Sequence, residues 1–138
     1  MSFTLIKNGN STNSNVNVMF EYKKIAQEFC LEYYTLYDDN VDKLKKMYHT
    51  EAKFIYLDHE INGFDNWIVA LRQNGYYKFT HYNMNINVIP LCNDNLSITI
   101  TGKMSINNNQ EQRFTENIML QKDGNNFYIC TTMFRTIE

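Results

Sequence analysis

Apolar positions change their spacing along the 138-residue chain, and each change predicts a different kind of element. Met1 to about Val18 keeps no period, and Asn8, Asn10, Asn13, Asn15 and Asn17 stand there among Ser and Gly. That composition predicts a flexible arm, residues 1–18, ahead of a domain over residues 19–138. From Phe20 onward Ile25, Phe29, Tyr33 and Leu36 or Tyr37 recur at intervals of three and four, which places one apolar stripe on a helix that Asp38, Asp39 and Asn40 end. A short second helix is expected from Val41 to Tyr48, with Leu44, Met47 and Tyr48 inward and Lys45 and Lys46 suiting its C-terminal dipole. Lys53 to Leu57 alternates as a strand on which Ile61, Asn62 and Gly63 can pair back. Phe64 to Leu71 reads as a third helix carrying Trp67, Ile68 and Leu71.

After residue 76 the period becomes two. Over Lys78 to Ile89, Tyr82, Met84, Ile86 and Val88 are expected on one face and Asn83, Asn85 and Asn87 on the other. Leu96, Ile98, Ile100, Met104 and Ile106 alternate with polar partners, and Asn107, Asn108 and Asn109 turn the chain. Gln112 to Gln121 sets Phe114, Ile118 and Leu120 against Arg113, Thr115 and Asn117. Asp123 and Gly124 are expected to close a type I′ hairpin into a last strand, Phe127 to Thr136. In that strand Phe127, Ile129 and Met133 share one face and Tyr128, Cys130 and Phe134 the other. Helices followed by an antiparallel meander of four long strands give an α+β layout with the helices on one sheet face. Met119, Tyr128, Cys130 and Phe134 would then form an apolar zone that those helices leave open, and a dimer through the sheet is the expectation.

Composition narrows the chemistry. A net charge of −2 and a pI near 5.9 supply no basic field, which disfavours nucleic acid as a partner. No run approaches the roughly 18 to 20 apolar residues of a membrane span, and the N-terminus lacks a secretory pattern, so a cytosolic or nuclear protein is expected. Cys30, Cys92 and Cys130 stand far apart with no clustered His. They predict free, mostly buried thiols and no metal site. Twenty Asn against the single Pro90 is read as compositional bias without function.

Certain residues resemble a known family. The run Phe29 to Asp38, FCLEYYTLYD, with Leu44, Met47 and Tyr48, then Ile61, Asn62 and Gly63, then Phe79, Thr80 and His81, and the closing Met133, Phe134 and Arg135, is similar to the nuclear transport factor 2 family from about Tyr22 to Arg135. The resemblance implies a cone-shaped α+β barrel, with three helices packed on a bent antiparallel sheet, that pairs as a homodimer through the sheet. It implies binding to the GDP form of the small GTPase Ran and to Phe-x-Phe-Gly repeats of nucleoporins, no cofactor, and a location in cytoplasm and nucleus and at the nuclear envelope. A scaffold or dimerisation module of the same fold without Ran binding is the alternative.

Carried over position by position, the resemblance implies a partner-binding cavity at Tyr56, Phe79, Met104 and Phe134. All four have the apolar or aromatic character such a cavity needs. The three acids that rim the family's pocket fall on Leu57, Asn107 and Asn109, none of them charged. Losing an interface carboxylate costs about a few kcal/mol, so Ran binding is expected to be weakened or lost unless Asp58 or Glu111 supplies the charge. The repeat-binding site falls on Tyr22 with Phe20 nearby, where Tyr22 either stacks against the repeat or caps the core.

The same fold also hosts enzymes that use a cavity Asp or His as general base, which makes Asp58, His59 and His81 the candidates. If Tyr56 faces the cavity, alternation puts Asp58 on its side and His59 outside, and His81 shares a side with Phe79. No nucleophile elbow, P-loop or metal-ligand spacing accompanies them. A non-enzymatic protein is therefore the expectation.

Overall fold

In the computed structural model, which describes residues 12–137 and the side chains of residues 21–137, the long apolar stripe forms helix α1, Thr12–Asp39. The helix begins earlier than the expected Phe20 and takes in residues 12–18 of the expected arm; residues 1–11 lie outside the described residues. Its buried line runs through Ala26, Cys30, Tyr33, Tyr34 and Tyr37, while Ile25, Phe29 and Leu36 sit half-buried on the flank. Asn40 stops the helix in an extended conformation, and its side-chain oxygen accepts the Asp42 N–H at 3.1 Å to cap a 3₁₀ helix, Val41–Met47. Helix α2, Phe64–Gln73, buries the expected Trp67 and Leu71 together with Phe64, while the expected Ile68 is half-buried.

Six strands form one sheet: β1 (Tyr48–Tyr56), β2 (His59–Asn62), β3 (Phe79–Pro90), β4 (Leu96–Ile106), β5 (Gln112–Asp123) and β6 (Asn126–Ile137). Their order is β2-β1-β6-β5-β4-β3, so the last four make the expected meander. The sheet is mixed rather than purely antiparallel, because β1 runs parallel to β6, with Tyr56 beside Phe134. Two edges remote in sequence meet there, and the whole chain between them serves as the crossover that a parallel pair needs. Tyr48 belongs to β1 rather than to the preceding helix.

Two bulges reset the faces. In β3 the register shifts between Tyr82 and Asn85, with Asn83 at φ 51°, and the extra residue lies against Gly102. Phe79 and His81 face the helices before the bulge, and Ile86 and Val88 lie on that side after it. Tyr82 is therefore not on the face of Val88, contrary to simple alternation. Gly102 allows the approach, since a Cβ there would lie 2.8 Å from Met84 Cγ and 3.1 Å from the Tyr82 carbonyl oxygen. In β6 the register shifts at Cys130, so Ile129, Thr132 and Phe134 are buried together and Met133 turns outward. Phe134 thus leaves the open face that alternation assigned it, and Met119, Tyr128 and Cys130 of that zone are half-buried. The β5–β6 turn centres on Gly124 and Asn125 with only Gly124 at positive φ, 63°, the type II′ position rather than type I′.

The core lies between the helices and this inner face: Tyr33, Tyr37, Phe54, Trp67, Phe79, Phe114 and Phe134 are all under 2% exposed. Trp67 stacks on Phe54 at 4.8 Å and meets Tyr37 edge-on at 5.7 Å. The cysteines are free, but Cys92 is exposed rather than buried. Burial raises the Cys30 thiol to about 12, which leaves it inert.

Candidate functional site

The β1–β2 connection is a two-residue turn in which Leu57 (φ 49°) and Asp58 (φ 68°) are both left-handed. Leu57 stays beside β6 at the end of β1, where its N–H donates to the Phe134 carbonyl at 3.1 Å. The left-handed angles throw Asp58 outward, so Asp58 does not share the side of Tyr56. Its carboxylate is largely exposed and lies 3.0 Å from the Arg135 guanidinium. Behind the turn the Tyr56 ring stacks on Phe134 at 4.8 Å and 13°.

Across from this turn, the loop after β4 is built on Asn107. Its side-chain oxygen accepts the N–H groups of Tyr77 (2.9 Å) and Lys78 (3.0 Å), and its amide nitrogen donates to the Gly75 carbonyl at 2.6 Å. Asn107 and Asn108 are left-handed, at φ 55° and 59°. Asn107 therefore clamps the chain leaving α2 to the end of β4, and its side chain is spent on that contact.

Between the two loops lies a cleft of about 460 Å³. Leu57, Tyr76, Ile106 and Phe134 give it apolar walls, and Asn74, Asn107, Asn109, Gln110 and Gln112 surround them with carboxamides. Of the expected cavity residues the structure brings Phe134 to this cleft, with Tyr56 stacked beside it, and of the expected rim residues Leu57, Asn107 and Asn109. Phe79 and Met104 are sealed in the core at 1% and 0% exposure and line no part of it. Glu111 turns to Tyr82, whose hydroxyl donates to it, and to Lys103 at 3.6 Å; the Tyr82 bond chiefly holds its carboxyl below the usual range. Asp58 and Glu111, the two acids expected to restore a charged rim, are thus paired within the chain.

Beneath the cleft lies a polar group that the sequence reading passed over. Glu116 faces inward on β5 between Phe114 and Ile118, is 3% exposed, and accepts the Tyr34 hydroxyl at 2.7 Å. Burial raises its carboxyl to about 7, and the hydrogen bonds of Tyr34 and Tyr33 oppose that rise only in part. Its position two residues from both Phe114 and Ile118 puts it on their inward side. Tyr33 and Tyr48 share a 2.6 Å hydroxyl contact in the same layer, and burial pushes the Tyr33, Tyr34, Tyr37 and Tyr48 phenols well above their ordinary range.

His81 is also interior. Asp38, at the end of α1, accepts the His81 backbone N–H at 2.8 Å with one oxygen and lies 2.6 Å from Nδ1 with the other. A carboxylate only accepts, so the ring proton sits on Nδ1. Among the described residues the buried Nε2 has no hydrogen-bond partner, and the imidazole sits among the Tyr34, Tyr37 and Phe114 rings with centroids 4.6 to 5.2 Å apart. The pair ties α1 to β3. His59 is exposed at the start of β2.

Tyr22 is half-buried, and its hydroxyl donates to Asp94 at 3.2 Å. The Phe20 side chain lies outside the described residues. Farther along α1, a groove of about 680 Å³ runs between Ile25 and Phe29 on one side and Phe127 and Tyr128 on the other, with Glu28, Glu32 and Lys46 at its edge. The three-and-four spacing marked Ile25 and Phe29 as apolar, but it could not show that the hairpin tip stands off from them.

The nuclear transport factor 2 (NTF2) domain model matches residues 25–136. Nuclear transport factor 2 of Saccharomyces cerevisiae is 26% identical over 117 residues, 83% of this chain and 94% of that protein. The solved structure of nuclear transport factor 2 from Cryptosporidium parvum superposes with a TM-score of 0.76 at 20% identity, covering 85% of this chain and 95% of that one. The Mtr2–Mex67 M domain complex of Candida albicans contains a chain that superposes at 0.69 with 12% identity, over 83% of this chain and 94% of that one.

Proposed function

Because the chain belongs to the nuclear transport factor 2 domain family, we propose that it is a non-enzymatic, homodimeric binding protein of nucleocytoplasmic transport that holds an aromatic side chain of a protein partner in the cleft between Leu57 and Asn109. The observation that carries this reading is the cleft itself. A pocket of about 460 Å³ walled by Leu57, Tyr76, Ile106 and Phe134 suits one ring, and its mouth offers hydrogen-bonding groups rather than catalytic ones. The candidate bases are elsewhere: Asp58 is paired with Arg135 at the surface, and the His81 side chain is 1% exposed.

The family resemblance supplies two partners, Ran-GDP and the Phe-x-Phe-Gly repeats of nucleoporins. Tyr22 supports repeat binding as a half-exposed ring near the start of the described helix face. The uncharged rim at Leu57, Asn107 and Asn109 speaks against tight Ran-GDP binding, and this favours the second reading, a scaffold of the same fold without Ran. Met119, Tyr128 and Cys130 on the open sheet face, joined by Met133 at 41% exposure, supply the dimer surface. Work in cytoplasm and nucleus and at the nuclear envelope follows from the same reading.

Light scattering at micromolar concentration tests the pairing, with twice the 16.4 kDa chain mass expected. Calorimetric titration with Ran-GDP, Ran-GTP and a Phe-x-Phe-Gly peptide tests the partners. Heat with the peptide and little with Ran-GDP is expected. Silence with all three, or only the monomer mass, overturns the proposal.

A further inference from the structure

We infer that the partner of the cleft is an extended peptide whose aromatic anchor is flanked by uncharged hydrogen-bonding residues such as Asn, Gln, Ser or Thr, and that basic flanks gain nothing there. This rests on reading the cleft as an aromatic-accepting site and specifies the chemistry of what enters it. The argument begins with charge. Asp58 is the acid of the β1–β2 turn, and Arg135 holds it at 3.0 Å. Glu111 is the acid of the loop opposite, and it is engaged by Tyr82 and by Lys103. Neither carboxylate lines the cleft and each already faces a cation of this chain, so an arginine or lysine docked at the mouth would lose hydration for little ion-pair gain.

What the mouth does offer is carboxamide. Asn107 is consumed in holding Gly75, Tyr77 and Lys78. Asn109, Gln110 and Gln112 are exposed along the same side of the cleft. Each presents a donor and an acceptor together, the complement of a peptide N–H and C=O. A helical segment has already spent those groups on itself, whereas an extended one arrives with them free. The apolar walls take the ring, and the amides take the main chain and short polar side chains beside it. An attachment of this kind has no net charge term and is nearly indifferent to ionic strength.

The test uses the ¹⁵N-labelled 138-residue chain and two synthetic peptides, Ser-Asn-Gln-Phe-Gln-Asn-Ser and Ser-Lys-Lys-Phe-Lys-Lys-Ser, titrated at about 50 and 300 mM salt. The expected result is movement of the Leu57, Ile106, Asn109 and Phe134 amide signals by the neutral peptide, with Kd changing less than about twofold between the two salts. The basic peptide is expected to bind no better at either. In L57E/N109D the order reverses, with the basic peptide gaining about tenfold at the lower salt. N109D alone, at an exposed loop position, serves as the second variant if the double one does not fold, with a smaller gain in the same direction. A wild-type preference for the basic peptide that fades with salt overturns the inference while leaving the cleft reading intact. If neither peptide moves those four signals, the cleft reading itself fails, and the inference with it.

Discussion

Strand β5 shows the two faces of the sheet side by side. Inward it carries Phe114, Glu116, Ile118 and Leu120, all buried; outward it carries Thr115, Asn117 and Met119, all half-exposed. The inner face is a mosaic of rings, with Phe114 6.0 Å from Phe134 and 5.2 Å from His81. The outer face is knit by short polar bonds, as where the Asn117 amide nitrogen lies 3.1 Å from both the Ser97 and Thr99 hydroxyls. The two faces handle charge differently as well. The outward Arg135 pairs with Asp58 at the surface, whereas the inward Glu116 is held by the Tyr34 hydroxyl. The buried ring packing is thus concentrated on the inner face.

The sharpest way to test that division is to remove the largest inner side chain. Trp67→Ala deletes the ring that stacks on Phe54 and meets Tyr37, Tyr56 and Phe64. A loss of about 3 to 5 kcal/mol is expected in urea unfolding. Thr99→Ala on the outer face is expected to change it by less than about 0.5 kcal/mol. Comparable losses would erase the distinction.

Glu116 gives the next largest effect, with a definite pH dependence. Its carboxyl titrates near 7 in the folded chain and near 4.5 when unfolded. At pH below 4.5 both states hold the proton and burial carries no ionic cost. Between these values the unfolded chain releases its proton first, so stability falls as pH rises; above 7 both states are ionised and the whole cost, about 3 kcal/mol, is present. Glu116→Gln keeps an acceptor for Tyr34 and removes the charge. Urea denaturation should find the variant more stable by up to about 3 kcal/mol at pH 8 and level with the parent at pH 4. A variant that is weaker at pH 8 would mean that the carboxylate is held by interactions worth more than its desolvation.

The β3 bulge offers a smaller perturbation that reaches both faces. Gly102→Ala places a methyl 2.8 Å from Met84 Cγ, which can swing away, but also 3.1 Å from a backbone oxygen, which cannot. A cost of about 1 to 2 kcal/mol in thermal unfolding is expected. No loss would show that the bulge relaxes freely.

These residues also mark what was legible beforehand. Spacing alone revealed α1, α2 and the pairing of β4 with β5, because burial on one face writes a period of 3.6 or 2 into the apolar positions. A bulge adds one residue and leaves no signature of its own, so Tyr82 and Phe134 were assigned to the wrong faces. The parallel contact of β1 with β6 joins segments whose patterns are independent. In the site, Leu57, Asn107, Asn109 and Phe134 do converge, while Asp58 was lost to a turn whose Leu-Asp pair carries no glycine signal. Glu116 was legible from Phe114-x-Glu116-x-Ile118. A carboxyl whose proton is retained near neutrality can be buried among hydroxyls, so its charge does not forbid that inward place.

The smallest change in folding stability is expected on the open face, and there it becomes informative about assembly. Met133, paired across the ladder with Asn117, is 41% exposed, because the bulge at Cys130 turns it out. Met133→Asp therefore removes little packing within one chain and is expected to alter its unfolding by less than about 0.5 kcal/mol at concentrations where it is monomeric. If two chains meet through this face, the same substitution buries an unpaired carboxylate between them, which is enough to separate them at micromolar concentration. Light scattering should then show the mass falling by half while the far-ultraviolet circular dichroism is unchanged. A dimer that survives Met133→Asp pairs through another surface, and the apolar groove beside Phe29 and Phe127 would be the next to mutate.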